Sequence, residues 1–245
     1  MTVPYLKDPP YLTTEQMREV DRAMIEDYGI ELIQMMENAG RALAHLARMR
    51  FLNGDPRGKR VVVLAGTGGN GGGALVSARR LQNVGALVHV VTTKESDAFA
   101  SVPRQQLDIL RRMDLPIHER AVVKDVGAAD LIIDGLIGYS LRGGPRGAAA
   151  ELIRWANDQS APILALDTPS GLDTTTGTAH DPTVRATATM TLALPKEGLR
   201  ASGVEFYTGE LYLADISVPP GLYTRPPLNL DVGSLFAEAD IVRLR

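Results

Sequence analysis

The feature that most constrains this chain is a run of glycines directly after a short apolar segment. Residues 60–65 read RVVVLA, and residues 66–73 read GTGGNGGG. A β-branched run of this length predicts a strand buried on both faces, as in a parallel sheet. Because glycine has no Cβ, the loop lets backbone N–H groups approach an anion at the start of the next helix. The alternative is a glycine-rich turn that serves only close packing.

The remainder of the chain alternates between strand and helix patterns. Further strands are predicted at 86–92, 131–136, 162–166, 186–194 and 206–214, with a short segment near 115–118. Helices are predicted at 14–27, 32–51, 74–84, 102–113 and 148–157. This alternation predicts an α/β fold in which helices cover both faces of a parallel sheet, with the last two strands toward its edge. No linker or internal repeat divides the sequence, so we expect one domain over 1–245.

Composition narrows the classes of partner. The formal net charge is −3 over 245 residues, which gives no electrostatic footprint for nucleic acid or an anionic membrane. We therefore expect a small molecule or another protein as partner. The chain has no cysteine, which excludes disulfides, zinc–thiolate sites, iron–sulfur clusters and a cysteine nucleophile. With no basic-then-apolar amino terminus and no long apolar run, the sequence predicts a soluble, cytoplasmic protein.

The glycine loop matches the pattern G-x-G-x-x-G, which is weak by itself. A dinucleotide-binding dehydrogenase also places an acidic residue at the end of the second strand. Here that strand ends in two threonines and Glu95 comes late, so an ordinary dehydrogenase is disfavoured. A P-loop is excluded because no Gly-Lys-Ser/Thr follows the glycines.

Oxygen-bearing side chains follow several predicted strands. Asp134 and Asp167 each end an apolar strand, where a carboxylate either caps the following turn or faces the ligand crevice. Together with Asn70 and Ser170 they form a set of hard oxygen ligands suited to an alkali or alkaline-earth cation. Ser170 lacks the flanking residues of a hydrolase elbow, and the four histidines are dispersed. Asn38, within a predicted helix, is either a satisfied core group or a residue lining the site.

Six ordered motifs together resemble one known family. They are Leu12-Thr-x-x-Gln-Met-Arg-x-x-Asp21, Met36-Glu-Asn-Ala-Gly40, the loop from Gly66, Asp134-Gly-Leu-Ile-Gly138, Asp167-Thr-Pro-Ser-Gly-Leu-Asp173 and Pro195-Lys-x-Gly198. They occur in the order found in the NAD(P)H-hydrate epimerase family, the YjeF N-terminal domain, and extend over most of the chain. The resemblance implies a Rossmann-like three-layer α/β/α sandwich with a mostly parallel central sheet and two N-terminal helices.

The resemblance also implies an activity. Members of the family are isomerases of metabolite repair: they interconvert the R and S forms of NADHX and NADPHX, the hydrated nicotinamide dinucleotides. An ATP- or ADP-dependent dehydratase then restores the S form, so such a dehydratase is an expected functional partner. Members are often dimeric, and a homodimer is expected here.

Site residues follow from the resemblance by position. The family's potassium ligands fall on Asn70, Asp134 and Ser170, which agrees with the oxygen set above. Its contacts to the dinucleotide hydrate fall on Gly69, Asn70, Gly71, Gly72, Gly73, Gly138, Tyr139, Ser140, Leu141, Arg142, Gly143, Gly144 and Asp167. Asp167 is the expected acid/base, because it ends a central strand and the family places it against the ligand. Lys196 is expected to assist it by charge.

Five positions depart from the family's usual pattern. Gly69 stands where the family commonly has Asn, Gly73 where it has Asp and Ala74 where it has Gly. Tyr139 stands where Thr is usual, and Ala149 where an aromatic residue is common. An alternative to the epimerase is therefore a catalytically degenerate nucleotide-binding or scaffolding module of the same fold.

Overall fold

Eight strands form one sheet in the order β3-β2-β1-β4-β5-β6-β7-β8 in the computed structural model, which describes residues 3–119 and 127–245. The strands are β1 Arg60–Ala65, β2 Leu87–Thr92, β3 Ile117–Glu119, β4 Leu131–Gly135, β5 Ile163–Leu166, β6 Ala188–Leu192, β7 Glu210–Ala214 and β8 Ile241–Arg243. The strands β1 to β7 pair in parallel, and β8 pairs antiparallel with β7. The predicted mostly parallel sheet is confirmed.

Seven α-helices accompany this sheet in the described residues. They are α1 Thr14–Glu26, α2 Leu32–Leu46, α3 Gly69–Asn83, α4 Ser101–Arg112, α5 Gly147–Asn157, α6 Glu205–Thr208 and α7 Pro220–Tyr223. Thr13 caps α1, and the Gln16 side chain accepts a hydrogen bond from the Thr13 backbone N–H, which completes a capping box. A π-helical turn continues α2 over Ala47–Phe51.

The core has a layer on each face of the sheet. Helices α2, α3 and α4 pack on the face that carries Val61 and Val63 of β1. Helix α5 packs on the opposite face, against Val62 and Leu64 of the same strand. Alternate residues of β1 thus enter different cores, which confirms that this strand is buried on both faces. The expected Rossmann-like three-layer arrangement is present.

Helix α1 lies outside these two layers and packs against the C-terminal part of the chain. Met17, Val20 and Met24 of α1 are buried with Ile216 and Tyr223. The helix is amphipathic at the 3.6-residue period, so one face meets this second core while the other meets solvent.

Some predicted boundaries were wrong. Helix α3 begins at Gly69, five residues before the predicted start at 74. Residues 206–208 belong to α6, so the strand predicted at 206–214 is only Glu210–Ala214. Strand β8 and helix α7 were not predicted, and the regular part of α2 ends at Leu46 rather than at Phe51.

The order of the strands reverses between β1 and β4. The chain leaves β1 toward β2 on one side, and later leaves β4 toward β5 on the other. A crevice is expected at the carboxyl ends of two such strands. Here the loop after β1 lies against the loop after β4: the Gly66 N–H donates to the Gly135 carbonyl over 3.0 Å, and a Cβ at Gly66 would meet the Leu136 carbonyl oxygen at 1.9 Å.

The described residues include no helix that is both long enough and apolar enough to cross a membrane.

Candidate functional site

A cavity of about 590 Å³ lies at the carboxyl ends of β1, β4 and β5. Its polar lining includes Asn70, Asp167 and Lys196. Its apolar lining includes Met17 of α1 and Met36 of α2, so the N-terminal helices form one wall. A mostly apolar cavity with a few converging polar groups is typical of a small-molecule site.

The glycine loop and the first turn of α3 form a second wall. Gly71 fits only without a side chain, since a Cβ there would meet the Gly66 carbonyl oxygen at 1.9 Å. A Cβ at Gly72 would lie 2.6 Å from the sulfur of Met36, and one at Gly73 would lie 2.9 Å from a methyl group of Leu166. Around Gly69 there is open space. The glycines therefore serve both close packing and an open approach to the amino terminus of α3.

Asp167 and Lys196 form a buried ion pair at the cavity wall. The Lys196 Nζ donates to Asp167 Oδ1 over 2.5 Å and also to the Leu192 carbonyl over 3.0 Å. Lys196 is fully buried and Asp167 is 4% exposed, yet both line the cavity. Asp167 has a φ of 65°, a left-handed conformation that costs energy for a residue with a Cβ. Backbone strain at a buried charged residue is typical of a functional position.

Asp134, at the end of the neighbouring strand, has only neutral donors among its hydrogen bonds. Its carboxylate accepts from the Ser170 hydroxyl over 2.6 Å, the Ser170 N–H over 2.8 Å and the Leu136 N–H over 3.1 Å. Burial is complete and raises the pKa of Asp134 to about 6, despite these donors. The carboxylate is thus a buried group whose hydrogen-bond donors in the described residues are all neutral.

Asn70 lies close to the strand end that carries Asp134, and its side chain has an amide oxygen. Its side chain packs against Gly138, where a Cβ would lie 3.2 Å from Asn70 Cγ, and its Nδ2 is buried without a hydrogen-bond partner. Ser170 and Asp134 contact each other below the cavity surface, and the loop that holds Gly138 connects them to Asn70. One carboxylate, one hydroxyl and one amide oxygen form a donor set that suits a hard monovalent or divalent cation. The residues present therefore fit such an ion.

A second acidic group faces the cavity from α1. Tyr139 donates its hydroxyl to Asp21 Oδ2 over 2.5 Å, and both residues line the cavity. Burial raises the pKa of Asp21, while the Tyr139 hydrogen bond and the Lys196 charge oppose the shift. The pKa of Tyr139 is also raised, by burial and by the Asp21 charge, so the phenol keeps its proton.

Comparison with known proteins identifies the family. Residues 32–198 match the family described as YjeF-related protein N-terminus. The chain belongs to this family. The YjeF-related fold is also found in the crystal structure of the yeast protein YNL200c, which superposes with a TM-score of 0.81 at 23% identity, covering 96% of this chain and 100% of that one.

Two bacterial relatives of this YjeF-related chain differ in their length. The NAD(P)H-hydrate epimerase of Dehalogenimonas lykanthroporepellens is 44% identical over 238 residues, covering 95% of this chain and 92% of the relative. The bifunctional NAD(P)H-hydrate repair enzyme Nnr of Salinibacter ruber is 36% identical, and the match covers 89% of this chain but 42% of that protein. This chain thus spans less than half of the bifunctional relative.

The structure of this YjeF-related domain brings most of the predicted site residues together. Gly69, Asn70, Gly73, Gly138, Tyr139, Ser140, Asp167 and Lys196 all line the cavity. Asp134 and Ser170 lie directly beneath it, bonded to each other. Gly71 and Gly72 lie in the first turn of α3 and pack inward, outside the cavity lining.

Besides Gly71 and Gly72, four predicted contact residues are outside the cavity lining: Leu141, Arg142, Gly143 and Gly144. Their contact with a bound dinucleotide stays a prediction. Asn38 is likewise outside the lining, and it donates to the Ile216 carbonyl over 3.3 Å, so it is a satisfied polar group.

The sequence analysis did not predict that α1 contributes an acidic residue, Asp21, to the cavity. Asp21 follows Met17 by one helical turn, so it shares the apolar face of an amphipathic helix. A lone carboxylate on such a face was the available signal. Met35 and Met36 of α2 are buried, and they also line the cavity.

Proposed function

We propose that this chain epimerises hydrated nicotinamide dinucleotides, converting the R and S forms of NADHX and NADPHX into one another. The name of the Dehalogenimonas relative, an NAD(P)H-hydrate epimerase that matches over 92% of its length, supports this function. The structural observation that carries it is the Asp167–Lys196 pair, because it places an acid/base on the cavity wall. A non-catalytic binding module would not need an ion pair of this kind in the lining of its ligand cavity.

The chemistry needs little more than controlled proton transfer. The carbon that inverts bears a hydroxyl group next to a ring nitrogen. Protonation of the hydroxyl oxygen lets the nitrogen lone pair expel water, which leaves a planar cation. Water then adds back to either face and loses a proton, so the sum of atoms and charges is unchanged.

Asp167 is suited to move that proton. Its Oδ1 is held by Lys196, and its Oδ2 accepts from the Tyr139 N–H over 3.3 Å, so the carboxylate is fixed in direction. A fixed carboxylate serves as general base for incoming water, and its acid form serves as donor to the leaving hydroxyl. Lys196 balances the carboxylate charge during this cycle.

The amino terminus of α3 is suited to the pyrophosphate of the dinucleotide. The first N–H groups of a helix have no partner within it, and the helix dipole is positive there. Gly69 and Asn70 present this end of α3 to the cavity, in the open space that glycine leaves. The arrangement resembles other anion sites at helix amino termini.

Potassium is the proposed cation, held by Asn70, Asp134 and Ser170. When bound, it would supply the positive charge that the buried Asp134 carboxylate lacks, and it would fix the loop after β4 relative to the loop after β5. The neutral hydrogen-bond partners of Asp134, which leave the charge of its buried carboxylate unbalanced, support this assignment. A charge in the protein interior is costly unless it is paired.

Partners and location stay proposals. The bifunctional relative, of which this chain matches 42%, supports functional pairing with a dehydratase that consumes the S form. A homodimer and a cytoplasmic location stay predictions from the sequence.

A coupled assay tests the function. The chain is mixed with an equilibrated R and S mixture and a dehydratase specific for the S form, with its nucleotide. We expect the R form to be consumed well above its unaided rate of epimerisation. The matched control is the double variant Asp167→Asn with Lys196→Met, which removes both charges of the buried pair together. An R form that disappears no faster than without the chain would favour the binding-module alternative.

A further inference from the structure

Tyr139 connects two carboxylates on different walls of the cavity. Its N–H donates to Asp167 Oδ2 over 3.3 Å, and its hydroxyl donates to Asp21 Oδ2 over 2.5 Å. Asp167 belongs to the carboxyl end of β5, and Asp21 to α1. Both carboxylates line the same cavity, and Tyr139 bonds to each of them through a different group.

The surroundings of Asp21 differ from those of a structural hydrogen-bond acceptor. Asp21 is half-buried on the face of α1 that carries Met17, and it lines the ligand cavity. Asp21 and its hydrogen-bond partner Tyr139 interact electrostatically with four other charged or titratable groups: Lys196, Asp167, Tyr223 and Arg18. Lys196 already donates to Asp167, so Asp21 relies on the neutral phenol of Tyr139. Such a carboxyl can gain or lose a proton without breaking an ion pair of its own.

Inversion at the hydrated carbon needs proton transfer on both faces of the ring. Water must leave from one face and enter on the other, and each event moves a proton. A single carboxylate at one wall reaches one face directly. We propose that Asp21, oriented by Tyr139, is the second proton-transfer residue and serves the face opposite to that served by Asp167.

The step balances as follows. The acid form of one carboxyl protonates the departing hydroxyl, and water and the planar cation result. The other carboxylate removes a proton from the water that adds to the opposite face. After inversion the two carboxyls have exchanged protonation states, which prepares the site for the reverse reaction. This inference rests on the proposed epimerase function.

Oxygen exchange with labelled water distinguishes addition of water to one face of the ring from addition to the other. Each passage through the planar cation lets solvent oxygen enter the hydroxyl, with or without inversion. The R form and, in a separate sample, the S form are incubated in water enriched in oxygen-18 with the parent chain or with Asp21→Asn, and label in the recovered R and S forms is measured by mass spectrometry. The amide still accepts a hydrogen bond from Tyr139, so the local contact is kept.

The expected result is selective. Asp21→Asn should lower inversion by about a hundredfold or more, while label still enters one of the two starting forms, the one whose hydroxyl lies on the face of Asp167, at within about threefold of the parent rate. If exchange falls with inversion for both starting forms, Asp21 acts in binding or folding, and the proposal is wrong. If neither falls, Asp167 serves both faces, which also overturns it. A parent chain that accelerates neither process instead contradicts the proposed function itself.

Tyr139→Phe tests the positioning role. Loss of the phenol removes a hydrogen bond that lowers the pKa of Asp21, so the pH profile of inversion should move to higher pH. The matched control is Tyr212→Phe, which removes a similar phenol–carboxylate bond, from Tyr212 to Glu210 over 2.7 Å, away from the cavity lining. The proposal requires that only Tyr139→Phe moves the profile.

Discussion

Two aspartates end neighbouring strands of the same sheet, yet their surroundings are opposite. Asp134 accepts neutral hydrogen bonds from Ser170 and Leu136 and lies outside the cavity lining. Asp167 pairs with the ammonium of Lys196 and opens on the ligand cavity. Strand β4 and strand β5 pair in parallel, with Asp134 opposite Ala165, so Asp167 extends two residues beyond that register.

These two environments suit the two strand-end carboxylates to different tasks. A carboxylate sealed beneath the surface can hold a cation but cannot exchange protons with a ligand. A carboxylate on the cavity wall can exchange protons with a ligand, and the Lys196 ammonium balances its charge there. The comparison therefore predicts a rate effect at Asp167, a stability effect at Lys196 and a cation effect at Asp134.

The largest expected effect is on the reaction rate of Asp167→Asn. Removing a general acid/base lowers the rate by about a hundredfold to ten-thousandfold. The amide oxygen still accepts from Lys196, so the fold should persist, and circular dichroism checks this. Full epimerase activity in a folded Asp167→Asn variant would remove Asp167 from the mechanism.

The next effect is on stability. Lys196→Met leaves the Asp167 carboxylate without its counter-charge, and breaking a buried ion pair in this way costs about 3–5 kcal/mol. Chemical denaturation measures the free energy of unfolding. Adding Asp167→Asn to this variant should recover much of the loss, because both charges are then gone. If the single and double variants are equally unstable, the pair is not the unit that the distances indicate.

The third effect concerns the cation. Asp134→Ala leaves the donors of Ser170 and Leu136 unpaired, which costs about 1–3 kcal/mol. The parent should melt at higher temperature in potassium chloride than in tetramethylammonium chloride at equal ionic strength, and Asp134→Ala should lose this difference. As the control, Asp173→Ala removes a carboxylate that accepts from the Thr175 and Thr176 N–H groups, and it should keep the difference. A parent that responds equally to both salts has no functional cation site.

The smallest expected effect is on the stability contributed by a half-exposed ion pair, which serves as a comparison for the buried Asp167–Lys196 pair. Arg50 donates twice to Glu210 over 2.9 Å, and these bonds lower the pKa of Glu210 to about 2. Because the folded pKa lies below the unfolded value, this stabilisation is present above about pH 4.5 and is lost as the pH falls toward 2. Solvent screening limits it to about 0.2–1 kcal/mol. Glu210→Gln should flatten the acid limb of the stability curve, and an unchanged limb would assign it to other carboxylates.

The sequence by itself determined the parallel sheet and the presence of several polar residues at the carboxyl ends of its strands. Apolar runs at 60–65 and 131–136 are long enough for strands and too short for buried helices, and the glycines between strand and helix mark the ligand side. Since the carboxyl ends of parallel strands share one edge, Asn70, Asp134, Asp167 and Ser170 had to lie near each other. The motif resemblance added the family, which the matched residues 32–198 confirm.

The tertiary structure decided the start of α3. Glycine disfavours helix interiors by about 1 kcal/mol relative to alanine, so a helix through Gly71, Gly72 and Gly73 contradicts local propensity. Contacts with Gly66, Met36 and Leu166 leave no space for a larger residue at these positions. Close packing against the loop and α2 therefore overrides the local preference.

The tertiary structure also decided which groups meet in the site. Lys196 reaches Asp167 across 29 residues of sequence, and Tyr139 reaches Asp21 across 118. No periodicity or spacing encodes such pairs, because they depend on how α1 and the loop after β6 pack over the sheet edge. The sequence places each polar group on its own element, and the balance of burial against hydrogen bonding selects its partner only when those elements pack.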